Sequence, residues 1–286
     1  ADVMALPLHA TTGEKIWHYT FRTICGLIFF FLIAPIVVII PLSFNAVPFF
    51  TFTEEMLSFD PAGYSLKWYQ DFFTDLNWQG AVKNSFIIAV FATLLATTLG
   101  TIGALALSRS HMPYRSAIMA ILISPMIVPL IISAAGMYFF YSKIGLASTH
   151  IGVILAHTAL GIPFVVITVT ATLVGFDQSL IRAAQNLGAS PTVTFFRVIV
   201  PLILPGVISG ALLAFITSFD EVVVILFVGS YEQRTIPWQM FSGIREQISP
   251  TILAVATLLI LVSILLLTSL ELIRRRSERL RGIRPT

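Results

Sequence analysis

Six stretches of this chain are almost continuously apolar, and shorter polar stretches separate them. They cover about residues 24–44, 85–107, 118–141, 151–174, 203–227 and 251–273. A helix needs roughly 20 apolar residues to cross the hydrocarbon of a bilayer. The stretches lack the alternation of apolar and polar residues that marks a membrane β-strand, and a helix satisfies its own backbone groups in lipid. The pattern therefore predicts an all-α membrane protein with six transmembrane helices.

The composition agrees with a protein whose surface faces lipid. Hydrophobic residues make up 57% of the 286 residues and charged residues only 11%, whereas soluble domains contain roughly a quarter charged residues. Six prolines lie within or beside the apolar stretches, where they predict kinks or simple bends. These are Pro35, Pro41, Pro125, Pro129, Pro163 and Pro205.

The lysines and arginines predict the orientation. If the N-terminus lies in the cytoplasm, the inner segments carry twelve of the seventeen and the outer segments five. Cytoplasmic loops are enriched in these residues, so both termini are expected inside. The chain then has a cytoplasmic segment 1–23, a membrane domain 24–273 and a basic cytoplasmic tail 274–286. The outer loop 45–84 is predicted to hold an interfacial helix with Trp68, Tyr69, Phe72, Phe73 and Trp78.

The residue patterns of several kinds of chemistry are missing from the sequence. There is no Gly-x-x-x-x-Gly-Lys-Ser/Thr loop for nucleotide phosphates. The five histidines lack metal-ligand spacing, and Cys25 is the single cysteine. We therefore expect no catalytic residue, metal site or bound cofactor. His157, the one histidine inside a span, is expected to be packed and hydrogen-bonded, and the arginines of the tail predict topology rather than nucleic-acid binding.

The inner segment 175–202 differs from the other connections. Its sequence favours a helix from Ser179 to Leu187, with Asp177 as cap and Gly188 as the left-handed residue that ends it. Ser190 and Pro191 then start a second short helix, and Pro201 opens the next span. The segment therefore predicts a helical hairpin on the cytoplasmic face, although a loop that merely spaces two spans fits the same pattern.

The hairpin resembles the EAA loop of binding-protein-dependent ABC importer permeases. The family pattern is Glu-Ala-Ala, three variable residues, Gly, nine variable residues and Ile-x-Leu-Pro. Ala183-Ala184, Gly188 and Val198-x-Val200-Pro201 match this spacing in full, whereas Arg182 stands in place of the glutamate. Segments 218–222, 235–237 and 249–251 are similar to the second permeases of spermidine/putrescine importers.

This resemblance implies a type I ABC importer permease fold in a bacterial inner membrane. The hairpin would be the coupling helix that docks on a cytoplasmic ATPase dimer, and ATP and Mg would be bound by that ATPase. A second permease, giving a heterodimer, and an external solute-binding protein are the other implied partners. The residues that match the coupling region are Arg182, Ala183, Ala184, Leu187, Gly188, Ala189, Ser190 and Pro201.

Apart from Glu271, near the end of the last stretch, Asp220 and Glu221 are the only Asp, Glu, Lys or Arg residues inside the six apolar stretches. They lie about 26 Å along the helix from Ile203 at 1.5 Å per residue. A charge in mid-span costs on the order of 2.5–3.5 kcal/mol, so such residues usually mark a pathway. The pair predicts a path for a cationic solute, with Phe219 and Tyr138 as candidate cation–π faces. The alternatives are an ion pair with a neighbouring arginine, a position shallow enough to reach water, and, for the aromatic residues, interface anchoring.

Three other classes of protein fit the sequence less well than an importer permease. A secondary transporter usually has an inverted repeat, and the sequence has no evident internal symmetry. An intramembrane enzyme needs convergent catalytic groups within its spans, and a structural subunit has no need of acids in lipid. Among solutes, polyamines fit the acid pair, while amino-acid-like and other organic solutes stay open.

Overall fold

The computed structural model describes residues 11–108, 112–174, 179–246 and 249–280. All regular elements in these ranges are helical, apart from one antiparallel bridge between Asn45 and Tyr64. Thirteen α-helices are described: α1 Thr12–Leu42, α2 Glu54–Leu57, α3 Lys67–Thr74, α4 Leu76–Leu107, α5 Arg115–Ile127, α6 Leu130–Ile144, α7 His150–Val174, α8 Ser179–Asn186, α9 Pro191–Thr194, α10 Val200–Phe219, α11 Val223–Val228, α12 Ile236–Glu246 and α13 Thr251–Leu280. A π turn at Phe195–Ile199 joins α9 to α10, so that Pro191–Phe219 is one helix of 29 residues.

The all-α membrane architecture is confirmed, but the count of six spans is not. Among the described residues, α1, α4, α7 and the helix Pro191–Phe219 are long and apolar enough to cross a membrane. The pair of α5 and α6 adds a fifth span if the two count as one. Helix α13 counts only as a shorter apolar helix, since its fully described apolar part is Thr251–Leu265.

The third apolar stretch was expected to be one helix, and this was wrong. The structure divides it into α5 and α6, which meet at an angle of 103°. Val128 is extended, with ψ 135°, because the ring of Pro129 disfavours a helical conformation in the preceding residue. A re-entrant or sharply broken segment therefore replaces the single span, at most kinked at its prolines, that the sequence predicts.

The fifth apolar stretch, 203–227, is also interrupted, against expectation. Helix α10 ends at Phe219, and α11 starts only at Val223. The acid pair occupies this break instead of a helical position in mid-span. A break leaves the terminal backbone groups of both helices without intrahelical partners, so polar side chains are needed there.

The prediction that Trp68 and Trp78 lie on an interfacial helix of the outer loop is wrong. Trp68 lies on α3 but is buried, and its Nε1 donates a hydrogen bond to the carbonyl of Asn45 at 2.7 Å. Trp78 is buried on α4, which begins at Leu76 inside the predicted loop. Buried indoles usually find a partner for their N–H group, and here that need draws Trp68 inward.

Contacts divide the chain into two units. The first contains residues 1–74 and 243–286, in which α13 packs against α1 and α3. The second contains residues 75–242. It has two clusters of buried apolar residues. The first, named the inner core, lies where α4, α7 and α10 meet, and the second, named the outer core, lies where α11 packs against α6 and α7.

Small residues allow the three helices of the inner core to pack closely. A Cβ atom added to Gly100 would lie 2.7 Å from Cβ of Val165. One added to Gly161 would lie 3.0 Å from Cβ of Ala96 and 3.1 Å from Cβ of Ala214. Helix association in lipid depends on such close van der Waals packing, because lipid removes the hydrophobic driving force. The glycines therefore fix where α10 lies against α7.

Candidate functional site

The first arm of the inner hairpin is α8, and its end has the expected left-handed glycine. Gly188 has φ +81°. Its N–H group bonds to the carbonyl of Gln185 at 2.9 Å, and that of Ala189 bonds to the carbonyl of Ala184 at 3.0 Å. This pair of bonds is the Schellman arrangement. Asp177, the expected cap at the start of the helix, lies outside the described residues.

The second arm begins where the sequence predicts it. Ser190 caps α9, and its Oγ accepts a hydrogen bond from the N–H group of Val193 at 3.4 Å. Pro191 occupies the first helical turn, where its missing N–H group costs nothing. The hairpin therefore turns between Gly188 and Ser190.

The second arm does not end before the next span, which corrects the expectation of a separate short helix. It continues through the π turn into α10. Within that turn the N–H group of Val200 bonds to the carbonyl of Phe195. Pro201 follows, and a proline in a helix removes one bond and crowds the carbonyl four residues before it. The wider π turn relieves this crowding at Arg197, so the helix survives a proline that would otherwise break it.

The outer surface of the hairpin carries apolar and small side chains that nothing in the described chain covers. Leu187 is 88% exposed. Arg182, Ala183, Gly188 and Ser190 are also exposed, whereas Ala184 and Ala189 are half-buried. α8 packs with its other side against α9 and the π turn. The hairpin therefore presents a small, exposed apolar surface at the start of the continuous helix Pro191–Phe219.

At the other end of α10, Glu221 has a structural role. Its side chain is 8% exposed, and Oε1 accepts a hydrogen bond from the N–H group of Val224 at 2.9 Å. Val224 is in the first turn of α11, where amide groups lack helical partners. The carboxylate supplies one partner and places negative charge at the positive end of the helix.

Asp220 is placed differently from its neighbour. It is the C-terminal cap of α10, and its N–H group bonds to the carbonyl of Ile216 at 3.0 Å. Its side chain is exposed. The expectation that the two adjacent acids do not face the same way is confirmed, and only Asp220 presents its carboxylate outside the fold.

Aromatic rings lie immediately before the exposed acid. The ring of Phe219 stacks on that of Phe215 with centroids 5.7 Å apart, and meets the ring of Phe86 edge-on at 5.4 Å. Tyr138 is 41% exposed on α6. Among the described ring contacts, its partner is Phe139 and not the Phe219 cluster. The structure therefore brings Phe219, but not Tyr138, into one cluster with other aromatic rings.

His157 is packed and hydrogen-bonded as expected, but sequence analysis did not identify its partner. Nδ1 of His157 lies 2.9 Å from Oγ of Ser218. Both side chains are buried. The one available signal was the position of Ser218, two residues before the acids. No group of three or more histidine, cysteine or acidic side chains that can hold a metal ion occurs among the described residues.

The hairpin and the exposed acid are the two ends of one helix. The helix Pro191–Phe219 begins at the Ser190 cap and ends at Asp220. At 1.5 Å per residue its 29 residues span about 43 Å, which exceeds the roughly 30 Å hydrocarbon core. One continuous helix therefore connects the hairpin to the break that holds the acids.

Comparison with curated relatives places the chain among membrane transport proteins. It is 32% identical over 251 residues to the spermidine/putrescine transport system permease protein PotC of Haemophilus influenzae, covering 88% of this chain and 95% of that protein. It is 32% identical over 239 residues to the putrescine transport system permease protein PotI of Escherichia coli K12, covering 81% and 82%.

The fold agrees with that of a solved importer. A chain from the crystal structure of a bacterial ABC transporter involved in the import of the acidic polysaccharide alginate superimposes with a TM-score of 0.69 at 16% identity, covering 94% of this chain and 99% of that one. Residues 96–281 match the family described as "Binding-protein-dependent transport system inner membrane component". The chain therefore belongs to that family, the permease subunits of ABC importers.

Proposed function

We propose that this permease subunit forms, together with a second permease, the membrane path by which an ATP-driven importer takes up a polyamine or a similar cationic solute. Family membership makes it a multi-pass inner-membrane transport subunit and not an enzyme. The observation that supports a cationic solute is the exposed carboxylate of Asp220 at the end of α10. The names of the relatives PotC and PotI support the same class of solute.

The hairpin is the proposed docking surface for the ATPase. Its exposed Leu187 and the small residues around Gly188 suit insertion into a cleft, since small side chains permit close approach. ATP and Mg would be held by the ATPase dimer, with no cofactor on this chain. The proposed coupling residues are Arg182, Ala183, Ala184, Leu187, Gly188, Ala189, Ser190 and Pro201.

The path for the solute is proposed to run past the break after α10. An ammonium group is attracted by the carboxylate of Asp220 and by the faces of aromatic rings. Phe219, stacked beside Phe215, supplies such rings next to the acid. Glu221 contributes through the shape of the break, because its carboxylate is engaged with Val224. Tyr138 remains a candidate at a separate position on α6.

Orientation and partners complete the proposal. Both termini are placed in the cytoplasm, which puts the hairpin inside and the end of α10 toward the outer side. A solute-binding protein would deliver the solute to that outer side. The solved alginate transporter in complex with its alginate pentasaccharide-bound periplasmic protein, which superimposes with a TM-score of 0.64, has the fold and the kind of partner that this arrangement requires.

Uptake of labelled putrescine and spermidine into proteoliposomes tests the proposal. The complete transporter, with its second permease, ATPase and binding protein, is compared with an Asp220→Asn variant. We expect KM to rise by on the order of tenfold, because one charge-assisted contact is lost. Glu232→Gln, an exposed acid elsewhere in the same unit, is the matched control and should leave KM unchanged.

Two results would count against the proposal. Wild-type kinetics in the Asp220→Asn variant would remove this acid from the path. Uptake of 4-aminobutyrate or another amino-acid-like solute, without uptake of either polyamine, would keep the importer but replace the solute class.

A further inference from the structure

We propose that His157 is a positioning residue for solute binding, which it supports by fixing Ser218 and thereby the orientation of Asp220. The proposal rests on the proposed function, in which Asp220 contacts the solute. It goes beyond that function because His157 lies on a different helix and does not itself face the path.

The hydrogen bond continues a close part of the α7–α10 contact. Gly161 and Ala214 meet where an added Cβ on the glycine would lie 3.1 Å from Cβ of the alanine. His157 is one turn before Gly161 on α7, and Ser218 is one turn after Ala214 on α10. The 2.9 Å bond between them therefore closes the contact at the last turn of α10.

Asp220 lies between two side chains that are fixed by the fold. Ser218, two residues before it, is buried and bonded to His157. Glu221, the next residue, is buried and bonded to the first turn of α11. Of the two residues between them, Phe219 is half-buried and Asp220 is exposed. With both neighbours held, the direction of the Asp220 carboxylate depends on where α10 ends against α7.

The environment of His157 is a poor one for stability alone. Its side chain is 1% exposed, and Nε2 is buried with no hydrogen-bond partner in the described part of the chain. A buried polar atom without a partner is destabilising, whereas an apolar side chain of similar shape can be neutral or better. Stability alone therefore does not explain a histidine at this position. We attribute it to the hydrogen bond with Ser218, which fixes the last turn of α10 just before Asp220.

Kinetics of polyamine uptake by the complete transporter test this role. Replacing the imidazole by an apolar side chain, His157→Leu, should raise KM by about three- to tenfold, the value of one hydrogen bond, with little change in the maximal rate. His157→Asn should restore KM, since the asparagine amide can occupy the position of Nδ1. Thr158→Val is the matched control, because Thr158 is buried on the same helix but bonds only within it, to the carbonyl of Ile154.

A double variant distinguishes positioning from general destabilisation. If His157 acts through Asp220, His157→Leu should have no further effect on KM in the Asp220→Asn background. A KM that stays at the wild-type value in His157→Leu, or a loss confined to the maximal rate or to the amount of assembled complex, would overturn the proposal. So would equal defects in His157→Asn and His157→Leu.

A labelling measurement separates failure of this proposal from failure of the proposed function. With Cys25 changed to serine, an Asp220→Cys variant reports the accessibility of position 220 to a cationic thiol reagent. His157→Leu should change the labelling rate several-fold, and His157→Asn should not. This result is independent of the solute. If polyamines are not taken up by the wild type, the labelling rate still decides whether His157 positions residue 220, and an unchanged rate would contradict the inference.

Discussion

The carboxylate of Glu221 accepts a hydrogen bond from the backbone N–H group of Val224 at 2.9 Å, inside a break between two apolar helices. This relationship gives two adjacent acids different roles. The carboxylate of Glu221 completes the start of α11, and that of Asp220 is left exposed. The break is thus a folded element with its own polar partner.

Removal of the Glu221 acceptor should destabilise the protein more than removal of its charge. We expect Glu221→Leu to lower the free energy of unfolding by about 1–2 kcal/mol, because an amide of α11 loses its partner. Glu221→Gln keeps an acceptor oxygen and should lose less. Thermal unfolding in detergent measures both variants. Asp220→Asn is the control, and a loss as large as that of Glu221→Leu in the control would contradict the division of roles.

Gly188 should tolerate asparagine better than alanine. Its φ of +81° is strained for any residue with a Cβ atom, by about 1 kcal/mol, although no atom within 4 Å blocks the space. Asparagine is the residue that adopts this conformation most readily after glycine. We expect Gly188→Ala to lower ATP-driven uptake, and Gly188→Pro to abolish it, with Gly188→Asn close to the wild type.

Uptake driven by ATP in proteoliposomes measures this series. Gly136→Ala is the control, because Gly136 lies within α6, has no atom within 4 Å of an added Cβ and lacks a positive φ. Equal uptake by Gly188→Pro and the wild type would show that the turn of the hairpin has no part in coupling.

Leu187 should contribute to ATPase binding without contributing to stability. It is 88% exposed, so Leu187→Asp removes no internal contact and should leave the melting temperature unchanged. We expect its affinity for the ATPase to fall about tenfold or more, since burial of a charge without a partner is costly. Co-purification and binding to the isolated ATPase measure the effect. Leu57→Asp, an exposed leucine of the outer loop 45–84, is the control, and an equal loss there would contradict the docking surface.

The closeness of α4 and α7 predicts a clear difference between two glycines of the same helix. Gly100→Ala places a Cβ atom 2.7 Å from that of Val165 and should destabilise the protein by about 1–3 kcal/mol through overpacking. Gly80→Ala meets nothing within 4 Å and should be neutral or slightly stabilising, because alanine favours helix. Thermal unfolding of the two variants gives the comparison, and equal midpoints would contradict the packing of the inner core.

Sequence patterns predicted the turn of the hairpin well because its signals are local. Gly188, Ser190 and Pro191 act within one turn of chain, and their conformations are those expected of a helix end and a helix start. The break at Val128 was not predicted, although Pro129 was visible, because a proline in an apolar stretch is compatible with either a kink or a full break. Apolarity alone does not distinguish the two.

The sequence by itself determined that this chain is a helical membrane protein with a helical hairpin between two spans and one acid pair in an apolar stretch. Hydropathy and short-range turn chemistry carry that information without reference to distant residues. Only the tertiary structure decided that Glu221 is buried against α11 while Asp220 is exposed, and that His157 bonds to Ser218, 61 residues away. Such relationships depend on how close α7 and α10 approach and where α10 ends, which are set by packing of the whole bundle.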